Sequence, residues 1–341
     1  MPTDLSENRS GGNVTPPVTM HNARRRRRFI VVSIIGSTLV ALLISVLLLS
    51  IAGSGQPVYL QEPGFERTGH KYIYDSITGW RNIPGWRATT FGRPLTINSR
   101  GLRDDEHDLN RKEGTRRFLV LGDSYTWGYG VGDEEIFTEI LEDRMARDGR
   151  ACEVINTAVS GWGTDQEYLF LLNEGFEYSP DVVILAFFLV NDPTNNWYNR
   201  QYGLWKPLFA NVHLDLTNSP VPLPHEQVRM RTSAADMYTL TAAIVSRLAI
   251  ECAARGTELV VMKFGVFLAP EDESYISANK WLKTAFLKIP QLRFLDLDQE
   301  FSDRGIVRSQ LTEGNHDGHW NAFGHQQTAI ILKEFIQQNL P

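Results

Sequence analysis

The sequence predicts an α/β fold in which a parallel sheet is sandwiched between helices. Two observations carry that reading. The run DVVILAFF, Asp181 to Phe188, is apolar throughout after its first residue, as strands covered on both faces are. Strand-like and helical segments also alternate from about residue 116 to the C-terminus, the order that builds parallel sheets.

Taken in order, FLVLGD (from Phe118) is a buried strand, and IFTEILEDRMARDG is a helix stopped by Gly149. CEVINTAV, from Cys152, is a second strand, and DQEYLFLLNEGF a helix ending at Gly175. After the strand DVVILAFF an irregular insertion runs from Asp192 to about Arg231. A helix over 233–254, the strand ELVVMKFGVF, a helix over 277–287, the strand RFLDLD and a last helix over 321–340 complete the domain.

What precedes the domain differs in composition. Residues 1–28 are polar, with Gly and Pro, and end in the run Arg24 to Arg28; they read as a disordered cytoplasmic tail. Phe29 to Ala52 carries no charge, and as a helix its length of about 36 Å exceeds a hydrocarbon core of about 30 Å. It reads as a transmembrane helix that meets the lipid bilayer. A cleaved signal peptide would have a shorter apolar core of about 7–15 residues, so an uncleaved anchor is favoured. The arginine run places the N-terminus in the cytoplasm and the bulk of the chain outside it. GSGQP, Gly53 to Pro57, is a spacer, and residues 58–115, rich in Gly, Arg and aromatics, read as an extended N-terminal arm.

Charge narrows the partners. The chain holds 34 basic and 40 acidic residues, and without residues 1–28 its net charge is −10. Nucleic acid is therefore not expected as a partner, since phosphate binding needs a positive surface. Cys152 and Cys252, the only cysteines, are expected to remain free thiols, because in a 2-1-3-4-5 strand order two other strands separate them.

Ligands of such sheets bind at the carboxyl ends of the strands. That rim collects GDS (from Gly122), SGWG (from Ser160), VND (ending at Asp192) and HDGH (His316 to His319). Each has a structural reading: Asp123 and Ser124 as helix caps, Gly161 as a turn glycine, Asn191 and Asp317 as caps. Together they supply every part of serine acyl transfer. Ser124 would be the nucleophile, His319 the base and Asp317 its orienting acid. The backbone N–H groups of Ser124 and Gly161 and the Asn191 amide would form the oxyanion hole.

The order Ser, Gly, Asn, His in GDSY, NTAVSG, LVND and DGHWN resembles that of the SGNH (GDSL) hydrolases, over roughly residues 116–340. The resemblance implies a three-layer α/β/α sandwich with a flavodoxin-like sheet and esterase, lipase or acyltransferase chemistry, with no cofactor and no metal. Two blocks depart from the family. Leu189 and Val190 stand before Asn191 where the family has a glycine, and the last block is D-x-H where the family has D-x-x-H. The D-x-H-W-N tail is similar to that of SGNH-like proteins of alginate O-acetylation, which implies an O-acyl ester of a polysaccharide as substrate.

Alternatives remain open at this point. Glu313 and His316 form a second acid–base pair at D-x-x-H-like spacing, and His316, Asp317, His319 and His325 could bind a metal, although no zinc signature fits. His325 otherwise reads as a packing or capping residue. A glycan-binding or assembly protein on a hydrolase fold is the non-enzymatic alternative. Within the insertion, NNWYNRQYGLW offers Trp197, Tyr202 and Trp205 either as a sugar-binding lid or as anchors for a long loop.

Overall fold

The structure is a computed structural model that describes residues 20–53, 58–60, 72–265, 273–315 and 318–340. The chain divides into two compact units, Met1–Pro57 and Val58–Pro341.

The first unit contains helix α1 (Met20–Gly53), and its Arg25–Ser45 portion is long and apolar enough to cross a membrane. The sequence reading ended a disordered tail at Arg28, but the helix already begins at Met20 and takes in the arginine run. Arginine is a good helix former, so the run extends the helix at little cost.

The second unit opens with short strands. β1 (Tyr59–Leu60), β2 (Tyr72–Asp75) and β3 (Gly79–Asn82) form an antiparallel sheet, and β4 (Arg87–Thr90) pairs with β5 (Arg93–Thr96) as a hairpin. The expected extended arm is thus a set of small sheets. Tyr72, Trp80 and Leu102 sit in the same apolar core as the strands of the main sheet, which is why the arm belongs to the compact unit.

The main sheet follows. β6 (Arg116–Leu121) leads into the single turn α2 (Ser124–Trp127), then come α3 (Phe137–Arg147), β7 (Cys152–Asn156) and α4 (Thr164–Asn173). β8 (Val182–Phe188) is buried at every position. The insertion holds α5 (Asp192–Trp197) and the strands β9 (Arg200–Gln201), β10 (Leu204–Trp205), β11 (Leu208–Phe209) and β12 (Leu216–Thr217). α6 (Met237–Ala253), β13 (Glu258–Phe264), α7 (Glu273–Phe286), β14 (Leu292–Asp296), α8 (Leu297–Asp303), α9 (Arg308–Thr312) and α10 (Ala322–Asn339) finish the chain.

The five long strands are parallel, in the order β14-β13-β8-β6-β7, the expected 2-1-3-4-5 arrangement. One apolar core lies on each sheet face: Leu119, Leu121, Val183 and Leu185 point into one, Phe118, Val120, Val182 and Ile184 into the other. This alternation along continuous apolar runs is what a doubly covered parallel sheet requires. Cys152 starts β7 and Cys252 lies in α6; both thiols are free, and burial pushes them up to about 11 and about 12.

Candidate active site

Gly122 follows β6, and there the chain folds back so tightly that an added Cβ would lie 2.2 Å from the Thr126 hydroxyl oxygen. Asp123 then caps α2, its carboxylate accepting the Tyr125 N–H at 3.0 Å. The capping role in GDS therefore falls to Asp123 and not to Ser124. With Asp123 as the cap, Ser124 opens the helical turn and its hydroxyl points elsewhere: Ser124 Oγ lies 2.8 Å from His319 Nε2. That is the spacing at which an imidazole can take a hydroxyl proton.

His319 is held by aromatic rings. Its imidazole packs on Tyr125 at 4.6 Å and on Tyr129 at 4.4 Å between centroids, and the Tyr125 hydroxyl donates to the neighbouring Gly318 carbonyl at 3.0 Å. Asn315 ties the histidine loop to the turn that carries Ser124, donating to the carbonyls of Tyr129 and Trp320. Arg103, from the N-terminal arm, is fully buried and donates to the carbonyls of Trp127, Gly128 and Val131, fixing the end of the same turn. Sequence reasoning missed Arg103, Tyr125, Tyr129 and Asn315. Only GDSY itself hinted at one of them.

Asp317, the expected orienting acid, and His316 of the Glu313–His316 alternative lie outside the described residues; Glu313 follows α9, its N–H bonded to the Ser309 carbonyl. Among the described residues no group of three or more metal-ligating side chains is suited to holding a metal. His325 is a packing residue as expected. It is buried, its Nδ1 accepts the Phe137 N–H at 3.3 Å, and burial lowers its pKa to about 3, so it is neutral.

Gly161 has φ of +82°, a conformation glycine adopts without strain. Its loop is clamped by two tryptophans: Trp80 Nε1 donates to the Ser160 carbonyl at 3.1 Å, and Trp162 Nε1 to the Trp80 carbonyl at 2.9 Å. Asn191 donates from Nδ2 to the Asp123 carboxylate at 2.9 Å, which links the third block directly to the first. Leu189, where the family has glycine, is buried, and its N–H bonds the Phe264 carbonyl.

Behind Asn191 lies a group of buried acids that the sequence did not reveal. Asp123, Asp165, Glu167 and Asp192 are all fully buried. Asp165 forms an ion pair with the buried Lys206, which also donates to the Asn195 carbonyl at 2.9 Å. Burial pushes Asp165 up and Lys206 down, and their mutual attraction opposes both shifts. Asp192 accepts the Phe188 N–H at 2.9 Å. Burial raises Asp123 to about 6, against the pull of the Asn191 and Tyr125 hydrogen bonds. It raises Glu167 and Asp192 far more, reinforced by the neighbouring carboxylates.

The three aromatics of the insertion separate. Trp197 donates to the Ala235 carbonyl and Trp205 to the Glu226 carbonyl, and both anchor the loop. Tyr202 is 43% exposed. Asn195, Asn196 and Asn199 turn inward, so these amides do not face a ligand.

With this geometry in view, the sequence matches the family model of the GDSL-like lipase/acylhydrolase family over residues 120–327, more than half of the chain. The chain belongs to that family. It is also similar to solved structures. A lipase/acylhydrolase from Enterococcus faecalis shares 16% identity at a TM-score of 0.43, covering 66% of this chain and 97% of that one. The psychrotrophic esterase EstA from Pseudoalteromonas shares 15% at 0.43, covering 65% and 97%. Axe2, an acetyl-xylooligosaccharide esterase from Geobacillus, shares 13% at 0.43, covering 66% and 95%. A search of curated protein sequences finds no match.

Proposed function

We propose that this member of the GDSL-like family is a membrane-anchored, extracytoplasmic serine esterase or O-acyltransferase acting on O-acyl, most simply O-acetyl, esters of a glycan. The observation that carries the reading is the 2.8 Å approach of Ser124 Oγ to His319 Nε2. His319 takes the hydroxyl proton as Ser124 attacks the ester carbonyl, and Asp317 is the candidate for orienting the imidazole. The negative charge that develops on the carbonyl oxygen is met by the N–H groups of Ser124 and Gly161 and by the Asn191 amide. His319 then protonates the leaving alcohol, and the acyl-Ser124 intermediate is released to water or to a second hydroxyl.

The glycan part of the reading rests on the DGHWN tail, Asp317 to Asn321. The anchor rests on α1, with the cytoplasmic side assigned by Arg24 to Arg28. The test is to incubate the full chain in detergent with aryl acetates and O-acetylated oligosaccharides, with and without a sugar acceptor. Free acetate without an acceptor marks an esterase, and an acetylated acceptor marks a transferase. No acyl release from any ester would reject the reading.

A further inference from the structure

Two hairpin tips beside the dyad share an uncommon construction. Phe91-Gly92 joins β4 to β5, and Tyr202-Gly203 joins β9 to β10; each is a two-residue loop, closed by the pairs Thr90 with Arg93 and Gln201 with Leu204. Both residues of each loop have positive φ: 48° and 77° in the first, 49° and 82° in the second. Such turns favour Asn or Asp followed by Gly, and a bulky side chain at positive φ is strained. Strain of this kind persists where the surrounding structure over-determines it, and it clusters at active sites and ligand clamps. Burial does not account for these aromatics, since Phe91 is only half-buried and Tyr202 is exposed.

Each tip ends at a different part of the catalytic machinery. Phe91 packs edge-on against Tyr129 at 5.1 Å, and Tyr129 lies on the His319 ring. Tyr202 covers Gly161 so closely that an added Cβ would stand 2.8 Å from its ring. One strained aromatic therefore backs Tyr129, which packs on His319, and the other covers Gly161.

We propose that Phe91 and Tyr202 are specificity residues that wall the substrate cleft on its two sides and bind the sugar ring of the O-acyl ester. The inference rests on the esterase reading and adds the residues that select its substrate. A pyranose offers a flat C–H face with hydroxyls around its edge, which suits an aromatic ring with an apolar face. With the insertion amides turned inward, the ring faces are what the tip presents.

The test uses Phe91→Asn and Tyr202→Asn in full-length protein carrying Ser124→Ala, purified in detergent. Affinity for partly O-acetylated cello-oligosaccharide is measured by calorimetry, and Tm by thermal unfolding. Asparagine tolerates positive φ, so each variant should have a higher Tm while its affinity falls about tenfold. Gln291→Asn, at another positive-φ position beside the amino end of β14, should raise Tm and leave affinity unchanged. No binding by the Ser124→Ala parent, unchanged affinity in both tip variants, or a Tm that falls with the affinity would overturn the proposal. Turnover of phenyl acetate by the parent with Ser124 intact tests the esterase reading separately.

Discussion

Asn191 is the residue on which the oxyanion hole is most exposed to test, because Leu189 and Val190 replace the family's glycine before it. Its bond to Asp123 uses one amide N–H, and the second is what the mechanism aims at the oxyanion. Asn191→Ala should therefore lower kcat by about 10² to 10³, or about 2.7–4 kcal/mol, with little change in KM. A folded variant with near-wild-type kcat would leave the oxyanion to Ser124 and Gly161 alone. At the base, His319→Ala should abolish turnover and His325→Ala should keep most of it, since His325 is buried against Phe137. Loss of turnover in a folded His316→Ala protein, with His319→Ala active, would transfer the role to the Glu313–His316 pair. Ser124 and His319, which the structure brings together, were legible in the sequence because one follows a strand and the other precedes a helix on one rim. Tyr129 was not, since a tyrosine two residues beyond α2 carries no periodic or spacing signal.

Among the elements, the N-terminal arm is tied to the site by Trp80. This side chain is fully buried and holds the Ser160 carbonyl beside Gly161. Trp80→Ala should cost about 3–5 kcal/mol from the cavity it leaves. Trp80→Phe keeps most of the volume and orphans the carbonyl, at about 1–3 kcal/mol. Thermal unfolding measures both, and a Trp80→Phe protein of unchanged Tm and kcat would separate the arm from the Gly161 loop. The strands were readable because their apolar runs are continuous. The arm was not, because its strands are four residues or shorter. α4 misled in another way: its acids suggest a solvent face, yet Thr164 to Leu171 are all buried. The insertion brings Lys206 to Asp165, and tertiary contact overrides the local polarity.

For the whole molecule, the buried acids predict how stability depends on pH. Glu167 and Asp192 have raised pKa values, so the folded state binds more protons than the unfolded state above the ordinary carboxyl range. Stability then falls as pH rises toward the raised values. His325 acts in the opposite direction below about 6.5, because unfolding lets it take up a proton; between pH 7 and 9 the raised acids act unopposed by it, joined by Glu139, pushed up to about 10 by burial and Asp104, and by the two raised thiols. Tm should decline across that window, and Glu167→Gln, which keeps a neutral side chain of similar shape, should flatten the decline. A wild-type Tm that rose from pH 7 to 9 would show that these carboxyls are ionised in the folded protein.

The central claim is that Ser124 is a nucleophile activated by His319, and covalent labelling tests it most directly. The full chain is treated with a fluorophosphonate and the modified residue is found by peptide mass mapping, alongside His319→Ala. One adduct is expected, on Ser124, forming at least about 10²-fold more slowly without the imidazole. An unlabelled Ser124 in folded protein, or labelling at the same rate in both proteins, would contradict it.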